Sequence, residues 1–579
     1  MPSEQHPPNY VPLGKQPGYK PLRKIRLVAI GAGFGGLSLA HKVQHAMKLE
    51  DEIDLVIYDR NDGIGGTWFE NSYPGAACDV PAHAYVFPFE PNPNWSSFYA
   101  GQPEILAYMQ HTVKKWNLLK HVQLNTEIVE AVWNEFDGQW NLKIRTVGGE
   151  VRQDYADVLV NCTGFLNHWK WPNIEGLHDF KGKLVHSARW DNAEYKDKRV
   201  AVIGNGASGI QITRSIAPDV KSMTVYMRSP TYISTNFLEE LTPEGGQFSY
   251  SEEQKKKWRE DPKAFFDYLR EVELHLNRYI FALVNGHPAQ EMVSKRIKER
   301  MHEALKNAPE LEKQLTPSWV VGCRRLTPGD GYLEALQQDN VRTEWTSIDR
   351  FTEKGILLKP EAEGEAGREE EFDLIVCATG FDTSFIPNWK QVGRNGSTMD
   401  EMWKEDPEAL WSVHVIDQPN YFVINGPNIP ISHGTVLTMM GWVCDHILRW
   451  TKKINCQDIH SVVPKPESVA DYNEYQQEFL RHTSFADKCR AWYKNDRSEG
   501  RLTGVYGGTM MHFKEGLETL GAEHFDVKWR SANRFSYLGN GTAECDENGA
   551  GDVAPYFTWE YFQKVYGGFT ETLPVVAKE

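Results

Sequence analysis

A glycine-rich turn lying between an apolar run and a helix-like stretch occurs twice in this chain. Gly31-Ala32-Gly33-Phe34-Gly35-Gly36 follows Leu27-Val28-Ala29-Ile30, and Gly204-Asn205-Gly206-Ala207-Ser208-Gly209 follows Val200-Ala201-Val202-Ile203. In a strand–turn–helix of this kind, unpaired backbone N–H groups and the helix dipole point at an anion, here a pyrophosphate. One such turn is weak evidence. Two, each in the right setting, predict an α/β fold with two Rossmann-like dinucleotide-binding domains.

The residues closing the next strands tell the two sites apart. After the first turn, Asp54-Leu55-Val56-Ile57-Tyr58 ends in Asp59, a carboxylate placed to accept from a ribose hydroxyl. After the second, Met223-Thr224-Val225-Tyr226-Met227 ends in Arg228-Ser229, with no acid. A carboxylate repels a 2′-phosphate, whereas arginine and a hydroxyl bind one. The first site therefore reads as FAD and the second as NADPH. Ser208 and the backbone of Asn205 to Ile210 are expected to hold the NADPH pyrophosphate.

Composition is that of a large enzyme. A chain of 579 residues exceeds one core, so two or three domains are expected. A net charge of -16 argues against a nucleic-acid partner. The first two dozen residues are proline-rich and polar, unlike a signal peptide. Val436 to Trp450 is apolar but carries Asp445, His446 and Arg449, which fits a buried helix better than a membrane span. The eight cysteines (78, 162, 323, 377, 444, 456, 489, 545) are scattered, with no C-x-x-C pair and no metal-ligand spacing. Cys162 and Cys377 sit in apolar strands as core thiols. The compartment reads as reducing and the location as cytoplasmic.

Two further runs share one device: Asp157 to Cys162 leads into Thr163-Gly164, and Phe372 to Cys377 into Ala378-Thr379-Gly380. Such strands return the chain to each nucleotide sheet, so the FAD domain is discontinuous. The expected division is an N-terminal arm (1–23), FAD domain (24–165), NADPH domain (166–236), helical insertion (237–315), NADPH domain resumed (316–378), then FAD domain and C-terminal extension (379–579). The insertion is charged, with apolar residues every three or four positions.

Electrons must also leave the flavin. Disulfide reductases of similar layout carry a cysteine pair after a Gly-Gly-Thr start, but here Gly65-Gly66-Thr67 continues Trp68-Phe69-Glu70. Cys78 alone cannot form a dithiol. Dioxygen is the expected acceptor.

Three motifs sharpen this. Phe180-x-Gly182-x-x-x-His186-x-x-x-Trp190-Asp191, the stretch Gly65 to Asp79, and Cys323-Arg324-Arg325-Leu326 with Asp330 and Tyr332 together resemble Baeyer–Villiger monooxygenases, a class of flavoprotein monooxygenases. The resemblance covers most of residues 24 to 450, and the tail (Cys489, Trp492-Tyr493, Tyr506-Gly507-Gly508) is similar to that of fungal members. One departure is Ala77, where the family often has arginine. The resemblance implies that NADPH reduces FAD and that dioxygen, held as an anionic flavin peroxide, converts a ketone to an ester or lactone, in a setting of secondary metabolism. It also implies Arg325 as the cation beside the developing anion, since a guanidinium stays charged and presents a planar fork of donors, with Asp79 positioning it.

The cofactor-contacting residues expected on both grounds are Gly31, Gly33, Phe34, Gly36, Asp59, Arg60, Gly66, Thr67, Trp68, Phe69, Glu70, Ala77, Cys78, Val80, Tyr85, Asn205, Gly206, Ala207, Ser208, Gly209, Ile210, Arg228, Ser229 and Arg324. His186, as a linker histidine, is expected to act by domain positioning, and Trp190 as a packing anchor. Pro427-Asn428-Ile429-Pro430 is expected near the flavin ring. The alternative is a flavin monooxygenase that oxidises nitrogen or sulfur. No metal is expected; the partners are a ketone and dioxygen, with no nucleic acid and no membrane span.

Overall fold

The computed structural model describes residues 6–566, apart from 235, 244, 245, 361, 363, 364 and 550. The ends of the arm and of the C-terminal block (1–5 and 567–579) lie outside the described residues. Ten strands build two parallel sheets: β1 (Ile25–Ile30), β2 (Ile53–Tyr58), β3 (Val122–Gln123), β4 (Val158–Asn161), β5 (Lys183–His186), β6 (Arg199–Ile203), β7 (Ser222–Tyr226), β8 (Val341–Glu344), β9 (Leu374–Cys377) and β10 (Tyr421–Val423). The first sheet has the order β10-β4-β1-β2-β3 and the second β8-β7-β6-β9-β5. Strands covered on both faces read as continuous apolar runs, which is why β1 and β6 stand out in the sequence.

Each glycine turn is built in the same way. Gly31 (φ +111°) and Gly204 (φ +114°) close on the ends of β4 and β9, where an added Cβ would lie 2.8 Å from Cys162 O and 2.4 Å from Ala378 O. Helices α1 (Phe34–His41) and α2 (Ala207–Ile216) then leave the two sheets. Gly36 and Gly209 allow this close packing, because a Cβ on either would sit 2.1 Å from the carbonyl oxygen of Gly31 or Gly204.

An accessory sheet of Thr126–Asn134, Gln139–Thr146, Val151–Ala156 and Lys390–Val392 shares a core with the first parallel sheet, centred on Trp133 and Trp140. Residues 252–315 form four α-helices, α3 (Glu252–Glu260), α4 (Pro262–Arg278), α5 (Pro288–Leu305) and α6 (Pro309–Leu315), with a 3₁₀ turn at Tyr279–Leu283 after α4. Asp261 caps α4 by accepting from the N–H groups of Lys263 (3.1 Å) and Ala264 (3.0 Å). Ile297, Met301 and Leu305 recur every four residues along α5 and join the core of the second sheet. Trp258, Phe265 and Tyr268 from α3 and α4, with Tyr250, enclose the His83 ring at centroid distances of 4.9–5.7 Å.

Among the described residues, those of 25–450 and 462–526 make one compact unit, and those within 1–24, 451–461 and 527–579 make a second. The last described stretch of the chain thus groups with the N-terminal arm. Within the second unit, Lys20 pairs with Glu547 at 2.9 Å, and Asn455 donates to Arg23 O at 2.8 Å. These contacts join distant stretches of sequence, so no local pattern announces them. Among the described residues no helix is long and apolar enough to cross a membrane. Helix Val436–Cys456 buries Met439, Val443, Cys444, Ile447 and Trp450.

The cysteine expectation needs one correction. Cys162 and Cys377 are buried, and burial raises both thiol pKa values. Cys323 and Cys489, however, form a disulfide with a Cα–Cα distance of 6.2 Å. They lie 166 positions apart, so spacing hides the pair, and cysteine usage no longer argues for a reducing compartment.

Several histidines are buried as neutral rings. His414 Nε2 lies 2.8 Å from His446 Nε2, and His446 Nδ1 lies 2.8 Å from Leu517 O. Burial lowers His446 and His433 to about 4 and His83 to about 3. Below the ordinary histidine pKa of about 6.5 the unfolded chain binds protons that the fold refuses, so stability falls as pH drops. The expected loss is about 1.4 kcal/mol per histidine per pH unit between about 6.5 and each folded-state pKa. Thermal melts from pH 8 to 4 check this: a midpoint that stays flat below pH 6.5 contradicts it.

Candidate active site

Asp59 closes β2 and reaches back to the first turn. Its Oδ2 accepts from Ala32 N (2.7 Å) and its Oδ1 from Asn61 N (2.8 Å). Burial raises its pKa, while these backbone donors oppose the rise. The carboxylate thus holds the turn in shape at the place where a ribose would need an acceptor. Gly33 caps α1 without any side-chain cap, leaving the first N–H groups of the helix to a ligand. Gly66 packs on it, with a Cβ position 3.2 Å from Gly33 Cα.

Aromatic rings close this region. Tyr85 meets Phe34 edge to face at 5.3 Å and Trp68 at 5.6 Å, and Trp68 Nε1 donates to the Tyr85 hydroxyl at 3.2 Å. Thr67 is exposed and Cys78 buried. Phe69 lies over Gly63, where a Cβ would fall 2.3 Å from its ring. Glu70 is buried and accepts from Arg60 (2.9 Å), Asn61 (3.2 Å) and Arg189 (3.4 Å). Arg60 and Glu70 therefore satisfy each other, an arrangement that braces the wall of the site.

The second turn is similar in form and different in charge. Gly206 caps α2 with no side-chain cap, and a Cβ there would meet nothing within 4 Å. Gly206 and Ala207 are exposed, whereas Gly209 and Ile210 are buried. Asn205 Nδ2 donates to Ser229 O at 3.0 Å. Arg324 donates to Ser229 Oγ (2.9 Å) and Pro230 O (3.2 Å), and its guanidinium lies over Trp319 at 5.1 Å. Burial lowers the Arg324 pKa, and the nearby Arg228 charge adds to that. Two like charges brought together at a strand end suit a phosphate dianion.

Arg325 and Asp79, 246 residues apart in sequence, meet in a two-pronged pair: Nη1 to Oδ2 at 2.5 Å and Nη2 to Oδ1 at 3.0 Å. Burial works against the guanidinium charge, but Asp79 outweighs it and holds the pKa above the ordinary value. Protein surrounds Arg325, yet 39% of its side-chain surface remains accessible, because it faces a cleft. That cleft has about 510 Å³ of space free of protein atoms. Val80, Phe237, Leu276, Tyr279, Leu283, Leu326, Ile431 and Phe485 line it, with Ser432, His433 and Gly434. The helical insertion and the segment after Pro430 thus contribute directly to its walls. Asn428, within the proline turn, donates to Leu502 O and Val505 O, both at 2.7 Å.

Sequence reasoning missed Gln211, one residue past Ile210. Its amide donates to Ala77 O (3.0 Å) and accepts from Tyr73 OH (2.8 Å) and Ala77 N (3.4 Å). It ties the loop leading to Asp79 to the helix of the second turn. Its position directly behind the glycine turn was the available signal.

His186 is not in a linker. It ends β5 beside Cys377, accepts from Ala188 N at 3.1 Å and stacks on Trp169 at 4.7 Å. Burial lowers it to about 4, so it is neutral. Trp190 is buried in the core of the second sheet. Asp330 accepts from Asn236 and Arg300, and Tyr332 is buried. Among the described residues no group of three or more His, Cys, Asp or Glu could hold a metal ion.

Two dinucleotide turns on separate sheets, with an arginine–carboxylate pair in an apolar cleft, define a nucleotide-dependent flavoprotein oxidoreductase. The flavin-binding monooxygenase-like family model matches residues 24–245. An FAD-binding monooxygenase of Aspergillus terreus is 43% identical, over 93% of this chain and 95% of that protein. A Baeyer–Villiger monooxygenase of Streptomyces coelicolor is 31% identical, over 87% of this chain and 92% of that one. The closed crystal structure of cyclohexanone monooxygenase matches with a TM-score of 0.73 at 26% identity, covering 88% of this chain and 99% of that one. The chain belongs to the FAD-binding monooxygenases of Baeyer–Villiger type.

Proposed function

We propose that the protein converts a ketone to an ester or lactone, with NADPH as electron source and dioxygen as oxygen source. Per turnover, ketone, O₂, NADPH and a proton give ester, water and NADP⁺. The observation that carries this reading is the Arg325–Asp79 pair facing the apolar cleft. FAD, when bound, accepts hydride and activates dioxygen; the residues do the rest. The first turn and Asp59 would hold its pyrophosphate and ribose, and Phe34, Trp68 and Tyr85 would exclude water beside it. The second turn would hold the NADPH pyrophosphate, with Arg228 and Arg324 on the 2′-phosphate.

Arg325 stays charged throughout and stabilises the negative charge that builds up as the carbonyl is attacked. Asp79 keeps the guanidinium fork in one orientation, so no reorganisation is needed at the moment of reaction. Apolar walls around the cation keep the local dielectric low, which strengthens its effect. Incubation of the purified enzyme with NADPH and a panel of ketones and sulfides tests the reading. The expected product is an ester or lactone heavier than its ketone by one oxygen. Sulfoxides or N-oxides alone, with no ester from any ketone, would overturn it.

A further inference from the structure

The arginine-bearing loop is fastened to a segment far along the chain. Val320 N donates to Asp487 Oδ2 at 2.6 Å, Cys323 is bonded to Cys489, and Arg324 Nε donates to Arg490 O at 2.8 Å. The two segments thus run side by side over residues 320–324 and 487–490. Phe485, from the same segment, lines the cleft with Arg325. Behind the bridge, the buried Lys494 ammonium donates to the carbonyls of Asp487, Cys489 and Ser498 and lies 3.8 Å from Cys323 Sγ.

We propose that the Cys323–Cys489 bridge is a positioning element for Arg324 and Arg325, opened by a small dithiol and restored by exchange with a low-molecular-weight disulfide, which leaves as two thiols. This rests on the assignment of Arg324 to the NADPH phosphate. Of the ties between the segments, the bridge is the one covalent link, and it immediately precedes both arginines. Its opening lets residues 487–490 move off the loop, so Arg324 loses its Arg490 partner and Arg325 its fixed approach to Asp79.

The chemistry balances with a small dithiol as reductant. A reductant thiolate attacks Cys489 Sγ, the S–S bond breaks, and Cys323 leaves as a thiolate beside the Lys494 ammonium. The second reductant thiol then displaces Cys489. The protein gains two electrons and two protons, and the reductant ends as a disulfide. Both cysteines are buried, so exchange requires the segment to open first.

The test uses the FAD-loaded protein in three forms: oxidised, reduced with excess dithiothreitol, and re-oxidised, with thiol content verified by the mass of alkylated cysteines. Cys489→Ser is the matching variant. Opening the bridge is expected to raise the NADPH KM for flavin reduction roughly tenfold, the scale of one hydrogen bond to a charged group. The reduction rate at saturating NADPH stays the same, less ester forms per NADPH consumed, and re-oxidation restores both values. A purely structural bridge would lower the melting temperature and leave the KM and the ester yield per NADPH untouched; that result overturns the proposal. So does a bridge that excess dithiol cannot open in the folded protein. If Cys489→Ser fails to fold, the reduced and re-oxidised forms carry the test. An oxidised enzyme that makes no ester defeats the ketone reading instead, because the KM comparison needs only flavin reduction.

Discussion

Replacement of Arg325 by alanine is expected to abolish ester formation while NADPH still reduces the flavin. The guanidinium sits in the cleft, fixed by two hydrogen bonds to Asp79, and lies outside the contacts made by the second glycine turn. Hydride transfer therefore proceeds, but the carbonyl adduct loses its counter-charge. Removing one preorganised donor of this kind costs on the order of 3 kcal/mol, or roughly 10²–10³ in rate. The loss here is larger still, because Asp79 is left as an uncompensated negative charge where an anion must form. Arg325→Lys restores the charge without the fork, so partial recovery is expected. Product analysis beside NADPH and peroxide measurements separates the two half-reactions. Ester formed by Arg325→Ala at near the wild-type rate contradicts the assignment.

The second large effect distinguishes the two nucleotide sites. In Gly36→Ala the new methyl would lie 2.1 Å from Gly31 O, and in Gly209→Ala at the same distance from Gly204 O. Neither contact is with a flexible side chain, so the helix must move off its strand and its N-terminal N–H groups leave the pyrophosphate position. Overpacking of this kind costs about 1–3 kcal/mol or more, and the stabilisation due to bound ligand is lost as well. Gly36→Ala is expected to purify without flavin colour and to melt earlier. Gly209→Ala is expected to keep its flavin and fail to be reduced by NADPH. Gly148→Ala, where a Cβ meets nothing within 4 Å, serves as a silent control. Absorbance spectra, melting curves and anaerobic reduction decide. Loss of flavin from Gly209→Ala with retention in Gly36→Ala would reverse the assignment.

What could be read from sequence was local chemistry. The glycine turns, the strand-ending Asp59 and the Arg228-Ser229 pair lie within a few residues of the features they explain. Arg325 and Asp79 carry no such local signature; motif resemblance named them, and packing brings them together across 246 positions. Gln211, the His83 cage and the Cys323–Cys489 bridge escaped notice because each depends on a partner from another part of the chain. His186 was misplaced for a related reason: β5 is a short edge strand, only Lys183–His186, too brief to announce itself by alternation. The grouping of the N-terminal arm with 451–461 and with stretches of 527–579 is made by contacts rather than by composition, so no local pattern shows it.

Oxygen-isotope tracing reaches the chemistry itself. Turnover of a converted ketone under ¹⁸O₂ in ordinary water should give an ester or lactone with one ¹⁸O, located in the bridging oxygen and absent from the carbonyl. Label absent from the product, or present in a hydroxyl, N-oxide or sulfoxide while the ketone carbon skeleton stays uncut, would contradict oxygen insertion beside the carbonyl.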